Sequence, residues 1–85
     1  MKYCVITFAN THSAIATQKL LDGVIDFEIM PTLRDISQSC GISIKLGYDD
    51  EPKARQVILN EIDPTMFCFY EVVPENGKNI ITKML

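Results

Sequence analysis

One stretch of this 85-residue chain gathers side chains that could do chemistry: Pro31-Thr32-Leu33-Arg34-Asp35-Ile36-Ser37-Gln38-Ser39-Cys40-Gly41. A cysteine is a nucleophile only as its thiolate, and a guanidinium or a helix N-terminus close by favours that ionised form. Cys40, with Arg34 on the same stretch and the hydroxyls of Ser37 and Ser39 beside it, is therefore a candidate for carrying a persulfide or selenopersulfide, or for another thiol chemistry. His12, the chain's lone histidine, is the available acid–base partner. Asp35 and Gln38 have the spacing of a capping box, and Gly41 suits the position just past a short helix. Simpler roles stay open. Cys40 can be a small residue fitted to a turn, Arg34 a partner for Asp35 or a carbonyl, and His12 a solvated residue of a helix start.

The other two cysteines, Cys4 and Cys68, lie inside apolar runs, where a free thiol is usually core, and both are expected to be buried and inert. Three widely spaced cysteines and one histidine make neither a disulfide framework nor a zinc pattern, so no metal is expected. No Gly-rich phosphate loop, paired-carboxylate site or Ser/His/Asp arrangement can be argued, so no cofactor is expected either. A net charge of −3 argues against a nucleic-acid footprint and an anionic membrane surface. The N-terminal apolar run breaks at Asn10, too short for a signal peptide or a membrane span. Free thiols and no leader point to a cytoplasmic protein.

The elements around that stretch follow from periodicity. Lys2 to Phe8 is a β-branched, aromatic run and reads as a strand. Asn10 and Thr11 offer N-caps for a helix to about Leu21, stopped by Gly23, with Ala16, Leu20 and Val24, and Thr17 and Leu21 alongside, as its apolar stripe. Asp26 to Met30 alternates and ends at Pro31, and Ile42 to Leu46 alternates as a third strand. Asp49, Asp50, Glu51 and Pro52 start a second helix whose stripe is Ala54, Val57, Ile58 and Ile62, and Met66 to Val73 is a fourth strand. The order β, α, β, β, α, β predicts an α+β ferredoxin-like two-layer sandwich, a four-stranded antiparallel sheet with two helices on one face. Residues 1–74 form this domain, and residues 75–85 a tail or hairpin extension. Asn76-Gly77 is a good hairpin turn, so an added edge strand and a frayed helix are both open. In this topology the end of the first strand, the start of the first helix and the Pro31–Gly41 stretch share one end of the sheet.

The Pro31–Gly41 run, after an ITF strand and a Thr11-His12 helix start, resembles a bacterial family of small selenium/sulfur carrier-like proteins with a P-x-x-R-x-x-S-x-x-C-G loop. The likeness covers the chain up to about Pro74. The family's loop commonly has a second proline before the arginine; Leu33 stands there instead, which loosens the loop and leaves the thiol in place. The resemblance implies an accessory protein that takes its cargo from a cysteine desulfurase-type donor, passes it to an acceptor enzyme and turns over no substrate alone. The rival expectation is a non-catalytic binding or oligomerisation module with Cys40 structural. Aromatic residues fall on both faces of the outer and central strands, so a homodimer is expected, built on the helix-free face or on an edge strand.

Overall fold

The computed structural model describes residues 1–32 and 41–84. Strand β1 (Tyr3–Phe8) leads into helix α1 (Thr11–Leu21), then β2 (Phe27–Pro31) and β3 (Ile42–Gly47). A 3-10 turn (Tyr48–Asp50) precedes helix α2 (Glu51–Glu61), and a second one (Pro64–Met66) precedes β4 (Phe67–Glu75) and β5 (Lys78–Lys83). The five strands form one sheet in the order β2-β3-β1-β4-β5, each neighbour antiparallel.

The expected sheet of four strands is thus corrected to five. Asn76 and Gly77 both take positive φ, 51° and 78°, as a tight hairpin between right-twisted strands requires. That turn folds the tail back on β4, with Val72 opposite Ile81 and Glu75 opposite Lys78. The edge strand, of the two alternatives for the tail, is what forms.

The core lies between the helices and one face of the sheet. Cys4, Ile6 and Phe8 of β1, Ile44 and Leu46 of β3, and Phe67 and Phe69 of β4 pack there against Ala14 and Leu21 of α1 and Ala54 and Ile58 of α2. Phe67 and Phe69 meet edge to face, with ring centres 5.7 Å apart. Of the expected α1 stripe, Thr17 and Leu21 are buried together with Ser13 and Ala14, whereas Ala16, Leu20 and Val24 are half-buried at its flank. The inward side of α1 is thus partly polar, and apolar periodicity places its centre too far to one side. For α2, Ala54 and Ile58 are buried as expected, Val57 and Ile62 are half-buried, and Glu51 joins them inside.

The opposite face holds a second, smaller cluster: Val5 and Val72 are buried beneath Tyr3, Met30, Tyr70 and Ile81. Neither helix contributes to that cluster among the described residues. No described helix is long and apolar enough to cross a membrane.

Candidate functional site

The register places the base of the candidate loop. Pro31 at the end of β2 pairs with Ile42 at the start of β3, and Ser43 pairs with Thr7 near the end of β1. β1 then passes through Ala9 and Asn10 into α1. The end of β1, the start of α1 and both ends of the loop thus share one end of the sheet, as the topology predicted. β3 is the direct neighbour of β1, so Gly41 leaves the sheet about one strand spacing, roughly 5 Å, from the β1–α1 connection.

Two hydrogen bonds close the loop base. The Thr32 N–H donates to the Gly41 carbonyl at 2.9 Å, and the hydroxyls of Thr32 and Ser43 lie 2.8 Å apart in a side-chain hydrogen bond. Neither Thr32 nor Ser43 stood out in the sequence as a site residue. The available signal was their hydroxyls on either side of a polar connection between two apolar strands.

At the start of α1, the Ser13 N–H donates to the Asn10 Oδ1 at 2.8 Å, the cap expected from the sequence. The Ala9 N–H donates to the Met66 carbonyl at 2.9 Å, which ties the β1–α1 connection to the approach to β4. His12 lies exposed in the first turn of α1, at the loop end of the molecule. Gly41 is exposed and outside the left-handed region, and a Cβ there would meet nothing within 4 Å. It is therefore not the left-handed helix stop that its position suggested. Arg34, Asp35, Ser37, Gln38, Ser39 and Cys40 lie outside the described residues.

The two strand cysteines differ. Cys4 is fully buried in the core, its sulfur 3.9 Å from that of Met84. Burial, with the Glu51 and Glu71 carboxylates adding to it and Arg55 and Lys2 opposing, pushes this thiol up to about 11. Cys68 is only half-buried, which corrects the expectation that both would be sealed. The alternation of β4 turns Phe67 and Phe69 to the helices, so Cys68 stands on the other face, paired in register with Thr7. There Thr7 is fully buried and its hydroxyl has no hydrogen-bond partner among the described residues.

At the far end of the sheet a depression of about 520 Å³ is lined by Asp22, Asp26 and Asp50 together with Gly23 to Ile25 and Phe27. No three His, Cys, Asp or Glu side chains are grouped to hold a metal ion among the described residues.

No curated protein and no solved structure matches the chain. A family model does, over residues 3–67, a span that includes β1, both helices and the loop. The chain belongs to the family described as "Putative Se/S carrier protein-like".

Proposed function

We propose that this protein is a cytoplasmic carrier of reduced sulfur or selenium, with Cys40 as the thiol that holds the cargo. The observation that carries this reading is the family match, whose span takes in the whole Pro31–Gly41 loop. Two features support it. The loop is pinned at its base by Thr32, Gly41 and Ser43, so its ends are held at one place on a rigid sheet. Of the other thiols, Cys4 is buried with its ionisation suppressed, which leaves it no role as a nucleophile at neutral pH.

In this reading the Cys40 thiolate attacks the terminal sulfur of a persulfide on a cysteine desulfurase-type donor. A new S–S bond forms at Cys40, the donor's S–S bond breaks, and the donor cysteine leaves as a thiolate. Transfer to the acceptor enzyme repeats the exchange in the other direction, with no net oxidation. Arg34 supports the thiolate, Ser37 and Ser39 donate hydrogen bonds to it, Gly41 gives the partner room, and His12 supplies or takes the proton. The strand order β2-β3-β1-β4, with α1 crossing from β1 to β2 and α2 from β3 to β4, fits a ferredoxin-like sandwich extended by β5. That architecture hosts many functions, so the argument rests on the loop.

The test is incubation with a cysteine desulfurase and cysteine, followed by peptide mass spectrometry. One added sulfur atom is expected on Cys40 in the wild type and none in Cys40→Ser. Iodoacetamide labelling across pH should give Cys40 an apparent pKa below that of a free cysteine, and Arg34→Ala should raise it. Labelling no faster than a free cysteine, together with no adduct, would overturn the carrier reading in favour of a binding or oligomerisation module with Cys40 structural.

A further inference from the structure

The helix-free face of the sheet has an order that the individual residues do not reveal. Its central row runs across all five strands: Glu28 on β2 opposite Lys45 on β3, Lys45 opposite Val5 on β1, Val5 opposite Tyr70 on β4, and Tyr70 opposite Lys83 on β5. The next row is Gly47, Tyr3, Val72 and Ile81. The central row therefore ends in a carboxylate at one edge of the sheet and an ammonium at the other. Both lie two strands from β1, about 10 Å on either side of it. Between them Tyr3, Tyr70 and Ile81 are half-buried over Val5 and Val72. Lys45 is spoken for, its ammonium 4.6 Å from the centre of the Tyr3 ring. Glu28 and Lys83 are exposed, and neither makes an ion pair among the described residues.

We infer that this face is the contact between two copies of the chain, related by a two-fold axis that runs parallel to β1. Such an axis keeps each row in place and reverses the order of the strands. It sets Glu28 of each copy against Lys83 of the other, twice, around a centre of Tyr3 and Tyr70. A two-fold axis perpendicular to the strands would instead oppose Glu28 to Glu28 and Lys83 to Lys83. Charge complementarity selects the first arrangement. Two twisted sheets pack at about 30°, which displaces the edges by roughly 5 Å, within the reach of Glu and Lys side chains. Thr7 and Ser43, toward the loop, are already fully buried, so the contact is carried by the two rows away from the loop. The end of the sheet where Pro31 pairs with Ile42 then lies beyond the contacting rows.

Five strand spacings by two rows span about 24 Å by 14 Å, roughly 340 Å² per copy or about 700 Å² in all. That is the size of a weak, transient contact, so the dimer is expected only at high-micromolar to millimolar concentration.

Sedimentation equilibrium of the full chain over that range is the measurement. The wild type should associate to a dimer. Glu28→Lys and Lys83→Glu should each weaken association about tenfold or more, since each turns both attractive pairs repulsive. The double variant Glu28→Lys/Lys83→Glu should regain the wild-type constant, because the swap restores both pairs. Circular dichroism reports that each variant is folded, and both positions are exposed edge sites that tolerate either charge. A chain that stays monomeric throughout the range would overturn the inference. So would a dimer indifferent to the single reversals, or one that the double swap fails to restore.

Discussion

Replacing Thr7 by Val should make this protein more stable. Thr7 is 0% exposed at the middle of the sheet, flanked by Ser43 on β3 and Cys68 on β4, and its Oγ1 has no hydrogen-bond partner among the described residues. Leaving a buried hydroxyl unsatisfied costs about 1–3 kcal/mol, and a methyl in its place adds about 0.8 kcal/mol of apolar burial. Valine has the same shape and a strong strand preference. A net gain of about 1–2 kcal/mol is expected once imperfect packing is allowed for. In a domain of this size each kcal/mol raises the midpoint by about 4–8 °C. Thr17, also 0% exposed and unpartnered at Oγ1, sits on α1 on the other side of the sheet. Thr17→Val should give a similar gain, and the two should add to within about 0.5 kcal/mol. Urea unfolding with an unchanged m-value is the assay, and Thr7→Ser is the control. That control keeps the hydroxyl, loses the methyl and should cost about 1 kcal/mol. A Thr7→Val protein less stable than wild type would refute the reasoning, because it would mean that the hydroxyl has a partner it cannot spare.

Two more outcomes follow from the core. Cys4, raised from 9.0 to about 11, should be alkylated at least about a hundredfold more slowly than a free thiol at pH 7.5 from ionisation alone. Because the folded state holds this proton to higher pH than the unfolded chain does, stability should fall as pH rises from about 9 to 11, more in wild type than in Cys4→Ala. Equal native labelling of Cys4 and Cys68 would contradict this. Glu51, 4% exposed, is held by Arg55 one turn along α2, and that guanidinium also lies 6.0 Å from the Phe69 ring centre. Arg55→Ala should cost about 2 kcal/mol by stranding the carboxylate, and Glu51→Ala/Arg55→Ala should cost less than the sum of the singles in thermal unfolding.

Much of this fold is legible in the residues because burial differs from strand to strand. β1 is buried on both faces and reads as an unbroken apolar run, whereas β3 keeps Lys45 on one side and reads as alternation. β5, almost wholly exposed, carries no burial signal, and only its Asn76-Gly77 turn announces it. The inward face of α1 is legible at Thr17 and Leu21 but not at Ser13, a small polar residue whose burial hydropathy does not record. Cys68 was misplaced for a related reason: an apolar run conceals the two-residue alternation that turns it away from Phe67 and Phe69. The loop was recognisable as a pattern through Arg34, Cys40 and Gly41. Its closure was not, because a bond such as Thr32 to Ser43 depends on register, which pairs residues far apart in the chain.

The position of β1 also governs how the chain comes to be folded. β1 is the central strand of the sheet and is synthesised before both of its neighbours, β3, ending at Gly47, and β4, beginning at Phe67. At about 5–20 residues per second, YCVITF waits roughly 3–12 seconds for its second neighbour to be made. For that interval a six-residue segment rich in β-branched and aromatic side chains, with no charge and no proline, has an unpaired edge. Such pairings at long sequence separation are slow to form. A nascent chain released before residue 67 would present that edge to other chains, so premature termination should yield aggregates rather than a smaller folded protein.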